Sequence, residues 1–329
     1  MKTRHLLFPS LFAAFATFAV FAASPAPAQE AWPTKPVKLV VPFPPGGGTD
    51  LVARAMGQKL FERLKQPVVI DNRPGASTII GTDAVAKAAP DGYTLLLSGS
   101  TSYSVNPALR AKLPYDPVKD LAPIAIVARA PLALVVSGNA PWRTVNELIA
   151  AAKAKPKSIR YASFGAGSGP QLAAELFALA AGVQLQEIPY KGSAQSTVAL
   201  IGGEIEMGID TVASVAPQVR AGKLRALGIV GATRSSLLPD VPTLAELKLP
   251  EATFDAWYAL AAPARTPAPV VQVLLREVSA VMADAGLQTQ LRAQGMEPVV
   301  IGPQPFRAQM ESEIARYRAL AHRAGIVAE

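Results

Sequence analysis

Three consecutive glycines, Gly46, Gly47 and Gly48, stand between Pro42-Phe43-Pro44-Pro45 and Thr49-Asp50. Glycines expose backbone N–H groups with no Cβ in the way. A helix starting behind them adds the positive end of its dipole. Such a loop holds an anion, with the prolines stiffening the approach and Phe43 offering an apolar wall. A tight strand-to-helix turn with no ligand would use the same residue types. Thr49 or Asp50 is expected to cap the helix, leaving the glycine amides for the anion. No Gly-Lys-Ser/Thr follows and the G-x-G-x-x-G spacing is absent, so this is neither a Walker A loop nor a dinucleotide fingerprint. A second loop, Ser163-Phe164-Gly165-Ala166-Gly167-Ser168-Gly169-Pro170, repeats the pattern: small residues, hydroxyls at Ser163 and Ser168, and a helix behind. Asp210, followed by Thr211, would either accept hydrogen bonds from a ligand ammonium or hydroxyl, or cap the helix at Val212.

Catalytic chemistry has little to work with. The chain has no cysteine and two histidines, of which His5 lies in the leader described next and His322 lies far from both loops. A Ser/His/Asp or Cys/His arrangement cannot be assembled, and Ser168 lacks the G-x-S-x-G frame. Metal ligation by His or Cys is excluded, and no acidic cluster has calcium-loop spacing. No two carboxylates converge in sequence as a glycosidase pair would require. These residues predict a binding protein that uses no metal or cofactor, rather than an enzyme.

Lys2 and Arg4, an apolar stretch over 6–23 and Ala26-Pro27-Ala28 have the layout of a secretory signal peptide cleaved near Ala28. Without a cysteine there is no lipoprotein anchor, so a soluble periplasmic protein is expected. Removing 28 of 329 residues leaves 301, enough for two domains. The leader carries two basic residues and no acid, which takes the net charge from +8 to +6. That excess is dispersed, with no basic run and little aromatic interleaving, which argues against nucleic-acid binding. With no disulfide available, burial alone must stabilise the fold.

The elements that position the loops follow from periodicity. Residues 37–41, 68–70 and 94–97 are aliphatic runs of buried parallel strands. The segment 51–64, with Val52, Met56 and Leu60 on one face, is an amphipathic crossover helix, and 83–89 is the next. The rhythm restarts after 132–136. Thr144 and Glu147 form a capping box opening helix 145–153. Strands at 160–162, 185–188, 206–209 and 224–230 alternate with helices at 171–181, 194–201 and 212–221. Gly182, Gly202 and Gly222 sit where helix ends favour positive φ. After 254–262 the chain is expected to be wholly helical: 270–283, 285–295 and 305–324, stopped by Gly325. The fold class is α/β: a two-lobed binding protein, its lobes facing each other across a cleft, each a mostly parallel sheet flanked by helices. The lobes are expected at 29–127 with 254–329, and at 128–253, crossing near 124–136 and 254–263. Open α/β sheets bind ligands at the carboxyl ends of their strands, where both loops fall.

Eight stretches then carry a family resemblance. They are Trp32-Pro33-Thr34-Lys35-Pro36, the run from Val41 through Pro42-Phe43-Pro44-Pro45-Gly46-Gly47-Gly48-Thr49-Asp50, Asn72-Arg73-Pro74-Gly75-Ala76, and Pro90-Asp91-Gly92-Tyr93-Thr94-Leu95. Leu113-Pro114-Tyr115-Asp116-Pro117, Pro189-Tyr190-Lys191-Gly192, Gly222-Lys223-Leu224-Arg225-Ala226-Leu227 and Leu238-Pro239-Asp240-Val241-Pro242-Thr243 complete them. In this order they resemble the periplasmic solute receptors of tripartite tricarboxylate transporters, also called the Bug family. The resemblance implies a monomeric Venus-flytrap periplasmic binding protein that passes a small organic carboxylate (a di- or tricarboxylate, or an aromatic one) to a membrane permease of one large and one small subunit. A sensor feeding a signalling partner would use the same fold; a hydrolase is disfavoured for want of a histidine. By position it implies ligand contacts at Phe43, Gly46, Gly47 and Thr49 in one lobe and Ser163 and Gly167 in the other, with Asp210 as a selectivity residue. Pro44-Pro45 and Phe164 depart from the family pattern and add apolar wall, favouring an aromatic or longer-chain carboxylate over a strongly polar amino acid.

Overall fold

The computed structural model describes residues 32–324, apart from Ala166 and Asp255. The leader and the helix stop at Gly325 lie outside the described residues.

The first four strands begin a six-stranded sheet that the end of the chain completes. β1 (Val37–Val41), β2 (Val68–Asn72) and β3 (Thr94–Gly99) are parallel, with β1 in the middle, linked by α1 (Gly48–Leu64) and α2 (Ile79–Ala86). Val52, Met56 and Leu60 of α1 are almost fully buried, each worth roughly 1.5–3 kcal/mol of burial. Both helices begin earlier than periodicity predicts, because their first turns are loop-like in composition. A π-helical turn (Thr101–Val105), α3 (Asn106–Leu109) and α4 (Pro117–Asp120) lead to β4 (Leu121–Ala130).

Pro131 separates β4 from β5 (Leu132–Ser137), which opens a second sheet. Here α5 (Val145–Ala154) has the predicted capping box, Thr144 accepting from the Glu147 N–H at 3.2 Å. Then come β6 (Arg160–Ser163), α6 (Gly169–Ala181), β7 (Gln186–Pro189), α7 (Ser193–Gly202), β8 (Met207–Thr211), α8 (Val212–Arg220) and β9 (Leu224–Ile229). The strand order is β7-β6-β8-β5-β9. Gly182 caps α6 with φ 63°, but Gly202 is the last helical residue of α7 and Gly203, at φ 76°, takes the left-handed position.

β10 (Ala256–Pro263) returns the chain to the first sheet, followed by α9 (Ala268–Met282), α10 (Ala285–Ala293), β11 (Glu297–Ile301) and α11 (Pro303–Ala324). β11 overturns the expectation of a wholly helical end: it is an edge strand antiparallel to β4. Five residues including Pro298 give too short a pattern to read, and an edge tolerates the proline. The first sheet runs β11-β4-β10-β3-β1-β2. Both sheets are therefore mixed rather than mostly parallel, since the crossing strands β4, β5 and β10 join antiparallel to their neighbours.

Trp257 of β10 stacks on Tyr103 at 5.5 Å between ring centroids, and Phe306 of α11 meets both rings edge-on. The Trp257 indole N–H donates to both Glu313 oxygens at 3.0 and 3.1 Å, pinning α11 to the returning strand. One apolar cluster joins Val105, Leu109, Tyr317 and Leu320 to Leu134 of β5 and to Leu172 and Phe177 of α6. The core thus continues from one lobe into the other beside the crossing strands.

Candidate functional site

Both glycine loops sit at strand ends, as open α/β sheets require. In the first, the helix starts at Gly48 with Gly47 as its N-cap and no side chain capping it. Thr49 and Asp50 are buried in the first turn instead of capping from outside. The Asp50 carboxylate turns back to accept from the Gly46 N–H at 2.9 Å, from Arg54 Nε at 2.9 Å and from Asn72 Nδ2 at 3.0 Å. Asn72 donates at 3.2 Å to the Phe43 carbonyl as well, tying the end of β2 to the loop. Burial works to raise the Asp50 carboxyl, but the bonds from Arg54, Gly46 and Asn72 outweigh it and hold it at about 2. The Gly46 amide is consequently committed inside the protein, and Arg54 is turned to Asp50. A helix's first N–H groups have no intrahelical acceptor, so Gly48 and Thr49 join Gly47 as the amides left at the loop. Phe43 is half-buried beside them.

The second loop is stapled the same way. Ser168 is the N-cap of α6, with no side-chain capping bond. The N–H groups of Phe164, Gly165 and Gly167 donate to Ser168 Oγ, Ser163 Oγ and Gln171 Oε1 at 3.1, 3.2 and 2.8 Å. Ser163, fully buried, donates to Glu187, whose other oxygen accepts from Gln171 Nε2 at 2.9 Å. The expected row of open glycine amides is thus only partly open, because Asp, Ser and Gln side chains nearby are better acceptors than nothing. Gly169 and Gln171 supply the remaining first-turn N–H groups of α6, Pro170 having none. Side chains cap α4, α5 and α10, at Asp116, Thr144 and Asp284, whereas α2, α7, α8 and α9 lack such a cap as α1 and α6 do.

Asp210 lies near the end of β8, two residues past Gly208, which pairs with Ala162 of β6. It is 6% exposed; one oxygen accepts from the Thr211 N–H at 2.7 Å, and the other has no partner among the described residues. Burial raises its carboxyl above the ordinary carboxylate range, with the Ser193 and Thr211 bonds opposing. It does not cap α8, whose N-cap is Thr211.

Two features escaped the sequence reading. The turn after β2 holds three successive non-glycine residues at positive φ: Ala76, Ser77 and Thr78 at 46, 52 and 79°. Each costs of order 1–3 kcal/mol, and buried hydroxyls of Thr78, Thr82, Ser98 and Ser102, bonded at 2.6 to 2.9 Å, hold the turn. The returning segment also brings an aromatic ring against the first glycine of each helix. A methyl at Gly48 would lie 2.5 Å from the Tyr258 hydroxyl, and one at Gly169 would lie 3.4 Å from the Phe254 ring. Phe254 and Tyr258 are four residues apart, at most about 14 Å along the chain, so both helix N-termini contact one short segment. The only signal for Tyr258 was its place in a run that reads as core.

No helix among the described residues is long and apolar enough to cross a membrane. Among the same residues no group of three or more His, Cys, Asp or Glu could hold a metal ion.

Two mixed α/β sheets joined by crossing strands, with two helix N-termini against the returning segment, define a two-lobed binding protein. Residues 52–326 match the tripartite tricarboxylate transporter family receptor (TctC). The protein BugT of Bordetella pertussis is 39% identical over 297 residues, covering 90% of this chain and 91% of that one. Among solved structures, R. palustris Rpa4515 with adipate is 36% identical with a TM-score of 0.77, covering 90% of this chain and 99% of that one. MatC from Rhodopseudomonas palustris with bound malate is 30% identical at a TM-score of 0.72, covering 88% and 99%. The chain belongs to the TctC receptor family, and it is a binding protein, not an enzyme.

Proposed function

We propose that this protein is exported by a leader cleaved near Ala28, captures a small organic carboxylate between its two lobes in the periplasm, and delivers it to a permease of one large and one small subunit. The observation that carries the reading is the pair of glycine-started helices without side-chain caps, α1 and α6, whose N-termini both contact the segment from Phe254 to Tyr258. Backbone N–H groups and two helix dipoles favour a negative group there, while Arg54 is bound to Asp50. The relatives solved with adipate and malate, both dicarboxylates, support this ligand class. Gly47 and Thr49 would meet one carboxylate beside Phe43, with Gly46 shaping the loop. Ser163 and Gly167 would act by holding the second loop in place, and the unpartnered oxygen of Asp210 would accept from a donor on the ligand, giving selectivity.

A thermal-shift panel of adipate, malate, citrate and benzoate on the mature protein tests this. A compound at 100 times its Kd adds about 2.7 kcal/mol, so at least one should raise the melting temperature by several degrees. Silence across the panel would overturn the reading. Gly47→Val then tests the loop: Gly47 has φ −80° and the nearest atom to a methyl there is 3.9 Å away, so the apo protein should fold normally and bind nothing. Retained binding would remove this loop from the site.

A further inference from the structure

Tyr258 stands apart from the other large aromatic residues of the crossing region. Trp257, Tyr103 and Phe306 are almost fully buried and packed on one another, and Phe254 is buried against Tyr317, as core residues should be. The adjacent residue faces the opposite side of β10, because successive side chains on a strand alternate. There it crosses two glycines. A methyl at Gly99, its partner on β3, would lie 3.7 Å from the Tyr258 ring, and one at Gly48 would lie 3.3 Å from Cζ and 2.5 Å from the hydroxyl oxygen. Any side chain at Gly48 would displace the hydroxyl from the α1 N-terminus. Met296, from the turn before β11, closes on the same glycine, its terminal methyl 3.3 Å from that position.

A phenol carries a donor that burial normally obliges to find a partner. Tyr258 is half-buried, and no group among the described residues accepts from its hydroxyl, which leaves this donor open beside the α1 N-terminus. Burial also raises its ionisation to about 12, so the hydroxyl stays a neutral donor at any physiological pH. It points at the place where α1 offers its first N–H groups, and the nearby acid, Asp50, has both oxygens bonded elsewhere.

We propose that Tyr258 is a specificity-determining ligand contact, its hydroxyl donating to the carboxylate oxygen that also meets the first-turn amides of α1. This rests on the receptor reading above and adds a side-chain donor to a site otherwise built from main chain. The group held there would be an anion recognised by neutral donors, one phenol and two or three amides. Binding would then depend on the acceptor geometry of a planar carboxylate more than on charge alone.

Isothermal titration of the mature wild type and Tyr258→Phe with adipate, malate, citrate and benzoate tests it. The variant keeps the ring and should melt as the wild type does, but lose about tenfold in affinity for each compound the wild type binds, the worth of one hydrogen bond to a charged group. Equal affinities within twofold would overturn this role and leave the receptor reading standing. Silence from the wild type on all four would overturn both. Should Tyr258→Phe misfold, wild type labelled with 13C at tyrosine Cζ gives the answer: one of seven tyrosine resonances should shift on saturation with a bound compound, and none shifting would overturn the proposal.

Discussion

The Asp50 carboxylate accepts the Gly46 N–H at 2.9 Å, so the glycine loop is closed on an internal anion before any ligand arrives. The same oxygen takes Arg54, and the other takes Asn72. This knot sets the loop's shape and decides which amides face outward.

It also makes stability depend on acid. Asp50 is held at about 2 in the folded protein, against about 3.9 when unfolded. A depressed carboxyl contributes stability above its unfolded value, and that contribution is lost as pH falls through the folded one. Asp50→Asn should therefore be less stable than wild type by about 2 kcal/mol at pH 7, the gap closing between pH 4 and 2. Urea unfolding of both proteins at pH 7, 4 and 2.5 measures it. A gap independent of pH would remove the charge from the explanation.

Asp210 should behave oppositely. Burial raises its carboxyl, so the folded state favours the protonated form. That contribution is complete below the unfolded value of about 3.9 and is lost as pH rises past the folded one. Asp210→Asn should be more stable than wild type at pH 7 and no more stable at pH 3, while changing the ranking of hydroxylated against plain dicarboxylates. Thermal melts at the two pH values, with malate and adipate titrations, check both halves.

Gln171 joins the Gly167 amide to Glu187. Gln171→Ala should cost about 1–3 kcal/mol, since it leaves buried partners unanswered, and should loosen the second loop without touching the first. Amide exchange at Gly167 should rise markedly, while exchange at Gly46 stays as in wild type. Unchanged protection at Gly167 would show that another group holds the loop.

Gly48→Ala places a methyl 2.5 Å from the Tyr258 hydroxyl, and overpacking of this kind costs about 1–3 kcal/mol. Its backbone is helical, so φ is no obstacle. Adding Tyr258→Phe removes the clashing oxygen and should restore most of the loss. A double-mutant cycle with no coupling would mean that the ring moves aside freely.

Local order was legible because it is written locally. Apolar runs gave β1, β6 and β8 within a residue or two, the Thr144 box opened α5 where expected, and the glycine loops fell at strand ends. The absence of cysteine and the distant His322 pointed away from catalysis. What sequence could not reveal was pairing across the chain. β11 was missed because five edge residues make too short a pattern, and both sheets proved mixed because strand direction is decided by where the chain crosses. Nor does sequence say which amides stay open: Asp50 reads as a cap, yet folding turns it onto Gly46 because Asn72, 22 residues later, arrives beside it. Tyr258 reads as core and meets Gly48 only because β10 returns beside β3. Residue type and spacing determined two glycine loops rich in main-chain donors at strand ends. The tertiary fold decided which of those donors stay open, since hydrogen-bond partners are chosen by proximity in space.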